Sequence, residues 1–112
     1  MEYPDCWKIV KIIDPEGKTH YRVAMGWYGG YLGSDSWQMN SGIASYRMER
    51  SGKDVVFIGV SGSEYLCVLS DEGLNGYVSS IVKDYAKKLA DIGASIEEVS
   101  FKDYCVCSLM VE

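Results

Sequence analysis

The sequence holds no apolar run approaching the ~20 residues that a helix needs to cross a bilayer, so no membrane partner is expected. It opens Met-Glu-Tyr-Pro-Asp, without a basic stretch followed by an apolar one, and the expectation is a cytoplasmic protein. Histidine occurs once, at His20, so a Ser-His-Asp or Cys-His system would have to be built entirely around that residue. There is no Walker loop, no dinucleotide fingerprint after a strand and no His-Glu-x-x-His. No catalytic residue is therefore assigned, and an enzyme using His20 or a cysteine is the less favoured alternative. Basic charge is also short, 11 Lys and Arg against 16 Asp and Glu, for a formal net charge of −5. Affinity for phosphate backbones comes from clustered cations, so direct binding of DNA or RNA is not expected, and a basic protein is the easier partner.

Cysteine is present but in a pattern that excludes more than it offers. Cys6, Cys67, Cys105 and Cys107 are thiols in a reducing cytosol. Cys105-Val106-Cys107, read as part of a final strand from Tyr104 to Val111, sends both thiols to one face, with Cys6 or Cys67 as further zinc ligands in principle. That gap differs from the Cys-x-x-Cys pairs of structural zinc sites. The thiols are read as small core hydrophobes, with no metal and no cofactor.

What remains is an ordinary globular composition at single-domain length, 112 residues with 47% apolar and 24% charged, which allows one modest core over residues 1–112. Cys6 to Ile13 is rich in β-branched and aromatic types, and Asp14-Pro15-Glu16-Gly17 is turn chemistry. Thr19 to Met25 completes a hairpin, with Trp7, Ile9, Tyr21 and Val23 on one buried face. Ile43 to Arg50, Asp54 to Val60 and Glu64 to Ser70, separated by Ser51-Gly52-Lys53 and Ser61-Gly62-Ser63, read as an antiparallel meander whose middle strand is covered on both faces. The period then changes to 3.6, with Leu74, Val78, Ile81, Val82, Tyr85, Leu89 and Ile92 on one stripe. Asn75 or Ser70/Asp71 can cap this helix and Gly93 can end it. Ala94 to Val99 returns as a strand. The fold class is α+β, an antiparallel sheet of about five to six strands, hairpin plus meander, packed against one amphipathic helix.

Between Gly26 and Gly42 the spacing of glycines denies a helix and leaves a long shaped loop, with room for a short strand at Trp37 to Met39. Loops of this length are enriched in function. Trp27, Tyr28, Tyr31 and Trp37 fall within it, and such rings either close the end of the sheet or form a recognition surface. Two polar turns, Asn40-Ser41-Gly42 and Ser61-Gly62-Ser63, are candidate nests for a phosphate or carboxylate, with Arg22, Arg47 and Arg50 as available cations. The expected ligand- or partner-binding residues are Trp27, Tyr28, Tyr31, Trp37, Asn40, Ser41, Arg47, Ser61 and Ser63.

The run Trp37-Gln38-Met39-Asn40-Ser41-Gly42-Ile43, then Gly59-Val60-Ser61-Gly62-Ser63-Glu64-Tyr65-Leu66-Cys67, then a helix opening at Gly76-Tyr77, resembles small phage- and prophage-encoded proteins with a Trp-x-x-Asn-Ser-Gly-Ile and Gly-x-Ser-Gly-Ser-x-Tyr-x-Cys pattern. The resemblance covers about residues 37 to 93 and brings no catalytic residues. It implies a phage accessory protein, non-enzymatic and acting as a counter-defence inhibitor in the host cytosol. Such a protein binds a host defence effector or sequesters a small nucleotide signal. A small homo-oligomer held together by its exposed rings is the alternative.

Overall fold

Alternating β-branched and aromatic residues on either side of a self-closing turn build the first hairpin. Strand β1 (Cys6–Ile13) lies antiparallel to β2 (Thr19–Trp27), from Cys6 opposite Gly26 to Ile13 opposite Thr19. The Asp14 carboxylate accepts the N–H groups of Glu16 and Lys18 at 2.9 Å each, which closes the turn locally. The computed structural model describes residues 1–29 and 36–110, with side chains as far as residue 106.

Strand β3 (Ser36–Met39) follows on the outer side of β2, and the chain then leaves for a second sheet of β4 (Ile43–Glu49), β5 (Asp54–Gly59) and β6 (Glu64–Val68). Helix α1 (Gly76–Asp91), strand β7 (Ser95–Val99) and helix α2 (Phe101–Met110) complete the described elements. The first sheet has the order β3-β2-β1-β7 and the second β4-β5-β6, all pairs antiparallel. The α+β class, the hairpin, the meander and the amphipathic helix are as the sequence leads one to expect. The strands number seven among the described residues and divide into two sheets. The division falls at Asn40, whose buried side chain accepts the Val23 N–H at 2.9 Å and donates to the Gly42 carbonyl at 3.2 Å, tying the corner between the sheets.

Because side chains alternate along a strand, β1 and β2 are apolar on both faces. Trp7, Ile9, Val23 and Met25 meet Val55, Phe57, Tyr65 and Cys67 of the second sheet, with Tyr104 of α2 at the margin. Cys6, Val10 and Ala24 point the other way and meet Val78 and Val82 of α1. The described elements therefore stack in three layers, α1 on the four-stranded sheet on the three-stranded sheet. Gly26 permits the close seat of α1: a Cβ there would stand 2.7 Å from Val78 Cγ2 and 2.9 Å from Cys6 Sγ. Asn75 caps α1 by accepting the Val78 N–H at 2.8 Å, and Gly93 ends it at φ +81°.

The C-terminal segment departs from expectation. Residues 101–110 form a helix, not the anticipated strand from Tyr104 to Val111, of which Val111 lies outside the described residues. Ser100 Oγ accepts the Asp103 N–H at 3.1 Å, and the Glu72 carboxylate, 29 positions away, accepts the Phe101 N–H at 2.9 Å. Two of the helix's first N–H groups are thus satisfied from outside it. Phe101 and Tyr104, three apart, then share one face and pack against the inter-sheet core. Positions 105 and 107 are about 200° apart around such a helix, so the shared face expected for Cys105 and Cys107 does not exist.

Candidate partner-binding surfaces

The same pleat that builds the layers separates the rings expected to act together. Trp27 continues the inner face of β2, is half-buried and packs against the inter-sheet core, so its ring closes the interior. Tyr28 is 57% exposed, and its backbone N–H is held by Asp5 Oδ2 at 2.8 Å. Trp37, opposite Gly26, projects on the α1 side and is 40% exposed. Tyr31 lies outside the described residues.

Tyr28 lies on the wall of an open hollow of about 300 Å³ at the start of α1, lined also by Asp5, Asp71, Glu72, Leu74 and Asn75. Its carboxylates are positioned in different ways. Asp5 holds the Tyr28 N–H, and Glu72 bonds Lys8 at 2.9 Å and the Phe101 N–H. Asp71 is exposed and has no side-chain bond among the described residues. Tyr77, 44% exposed, stands in the first turn of α1 beside Asn75. The result is an open, acid-lined surface with the Tyr28 phenol on its wall.

Trp37 borders a second hollow, also about 300 Å³, with Ile81, Asp84, Tyr85 and Lys88 of α1. These positions, together with Tyr77, follow the i, i+4, i+7, i+8, i+11 spacing of one helix flank. Nothing in the sequence alone marks this flank as functional. The flank itself is legible in that spacing, displaced by roughly one position from the Val78–Val82 stripe that faces the sheet.

The remaining candidates gather elsewhere. Ser41 lines a hollow of about 270 Å³ with Thr19, His20, Tyr21, Val60 and Tyr104, at the start of β2. Tyr28 follows the end of β2, roughly 25 Å away at the usual rise per strand residue. Ser61 and Ser63 are exposed in the β5–β6 turn, next to the Ser41 corner because the Val60 N–H donates to the Gly42 carbonyl at 3.0 Å. The Gly59 and Gly62 N–H groups also bond within that turn, at 2.8 and 2.9 Å, so these donors do not point at a ligand. Asn40 is buried with both ends of its amide bonded to the backbone, which makes it a structural clamp. Arg47 donates to Glu49 at 2.9 Å and Glu64 at 2.8 Å, and these carboxylates raise its pKa further. Arg50 grips the buried Asp54, at 2.7 Å through Nη2, and holds its carboxyl below the ordinary value.

His20 is exposed and bonds Asp14 Oδ2 at 3.1 Å, an interaction that lowers the Asp14 pKa. Cys6 and Cys67 are buried, and desolvation pushes the Cys67 thiol up, away from the reactive thiolate. Cys105 is half-buried beside Tyr46, whose pKa it raises by hydrogen bonding. Among the described residues no three histidine, cysteine or carboxylate side chains converge as a metal site requires, and no helix is long and apolar enough to cross a membrane. The chain matches no protein-family model, and no curated protein and no solved structure is significantly similar to it.

Proposed function

We propose that this chain is a stoichiometric, non-enzymatic binding protein of phage type, a counter-defence inhibitor that acts in the host cytosol by holding a basic surface of a host defence effector protein. The observation that carries this reading is the open hollow in which Tyr28, 57% exposed, stands near Asp71, whose carboxylate has no bond among the described residues, with Asp5 and the Lys8-paired Glu72 beside it. An exposed phenol beside carboxylates suits a protein surface rich in Lys or Arg, since the ring supplies rigid contact area and a cation–π face while the acids steer association. The net charge of −5 acts in the same direction at longer range. The phage-type motifs between Trp37 and the helix supply the biological context.

Sequestering a nucleotide would call for an enclosed pocket with an aromatic platform and a cation or nest for phosphate. The described hollows are open, Arg47 and Arg50 are engaged by carboxylates, and the turn N–H groups at Gly59, Val60 and Gly62 are internally bonded. A protein partner is therefore favoured over a small nucleotide. Native mass spectrometry against host extract separates the two readings. A bound protein is expected, released by moderate salt and by Asp71→Lys, with Tyr28→Ala costing about 2 kcal/mol or roughly 30-fold in affinity. A bound mass of nucleotide size overturns the protein reading, and a chain that binds neither overturns both.

A further inference from the structure

The two sheets have four lateral edges, and three carry a recognisable guard against pairing with another chain. The β6 edge is covered by the N-terminal segment, where the Glu2 N–H donates to the Glu64 carbonyl at 3.0 Å and the Leu66 N–H to the Glu2 carbonyl at 2.8 Å. The β4 edge has a bulge between Ile43 and Ser45 and the exposed charges of Arg47 and Glu49. The β7 edge presents Glu97 and Glu98, both exposed. Charges, bulges and cover are the devices by which sheet edges avoid association. Strand β3, Ser36-Trp37-Gln38-Met39, has no charge, no proline and no described strand on its far side.

The hydrogen-bond phase says which groups that edge offers. The Asn40 N–H donates to the Val23 carbonyl at 3.2 Å, so bonded pairs continue at Met25/Gln38 and Trp27/Ser36. The N–H and C=O of Trp37 and Met39 consequently point away from β2. These two residues are symmetric about Gln38. A second β3 laid antiparallel across a two-fold axis at Gln38 sets Trp37 against the second copy's Met39 and the reverse, and all of the outward groups are satisfied together. The Trp37 ring and the Met39 thioether, both on the α1 side, then meet as a sulfur–aromatic pair.

The rim of the Trp37 hollow distinguishes a second copy from another occupant. Asp84 and Lys88 lie one helical turn apart along it. A partner of one charge would be attracted by one and repelled by the other. A two-fold axis reverses the order, bringing Asp84 to the side of the second copy's Lys88 and Lys88 to the side of its Asp84. We infer that this chain forms a symmetric dimer through the β3 edge, joining the two four-stranded sheets into one continuous sheet with the Trp37 hollows meeting at the axis. The inference is independent of the proposed effector binding, which uses the differently lined hollow at Tyr28.

Sedimentation equilibrium of the full chain over a range of concentrations, with circular dichroism to show each variant folded, tests it. The parent is expected to dimerise reversibly, and Trp37→Ala to weaken the dimer roughly 30-fold or more. Asp84→Lys and Lys88→Asp, both on the exposed helix flank, should each weaken it about tenfold by setting like charges together at two symmetric places. The double variant D84K/K88D should restore association to near the parent level, which a different contact would not do. A parent that stays monomeric at every concentration overturns the dimer. So does a dimer indifferent to Trp37 and to both charges, or a double variant whose losses add.

Discussion

Two sets of aromatic rings in the molecule stand in opposite environments. The interior set, Trp7, Tyr21, Tyr46, Phe57, Phe101 and Tyr104, lies between the sheets with ring centroids 5.1 to 6.4 Å apart, most of them edge to face. The surface set, Tyr28, Trp37 and Tyr77, borders α1 and is 57%, 40% and 44% exposed. Interior rings stabilise by area removed from water and by favourable quadrupole geometry. Surface rings leave that area available for association. The difference teaches that ring content says nothing about role until the pleat and the layer order have placed each residue.

Three substitutions sharpen or break this contrast. Trp7 is fully buried and its indole N–H donates to the Val68 carbonyl at 2.7 Å, so Trp7→Ala leaves both a cavity and an unpaired carbonyl. Denaturant unfolding should show a loss of about 3–5 kcal/mol. Gly26→Ala tests the other face of the same sheet, where the added methyl meets Val78 and Cys6 and α1 must shift. Here the expected loss in urea unfolding is about 1–3 kcal/mol, with the helix signal retained at low denaturant. Tyr28→Ala should change unfolding by no more than about 1 kcal/mol, since more than half of the residue is exposed. A Tyr28→Ala destabilisation as large as that of Gly26→Ala would dissolve the distinction between the sets.

Much of the architecture is legible in the sequence alone. The hairpin follows from the alternation around Asp14-Pro15-Glu16-Gly17, and α1 follows from the 3.6 period with Asn75 in place to cap it. The final helix was not legible in the same way. Tyr104 to Val106 alternates like a strand in isolation, and what turned it helical was a capping Ser100 and a carboxylate from Glu72 that only the fold brings near. The candidate site was legible by residue type and not by place. Trp27 and Tyr28 are adjacent in the chain, yet the pleat sends one ring to the core and leaves the other residue more than half exposed. Ser41, Ser61 and Ser63 gather at the far end of β2 from Tyr28, and Asn40, polar and in a turn, is consumed by backbone bonds across the sheet corner.

Local chemistry alone determined the hairpin, the meander, the capped helix and the acidic balance, because periodicity, turn residues and formal charge act over a few neighbours and require no partner from far along the chain. Which strands share a sheet, which rings reach water, and which sheet edge carries no guard among the described residues were decided only in three dimensions. Those outcomes depend on groups remote in sequence, such as Val78 over Gly26, Glu72 at Phe101 and Glu2 along β6, meeting at contact distance. No window of neighbouring residues encodes such a meeting, since it is the packing of layers against one another that brings it about.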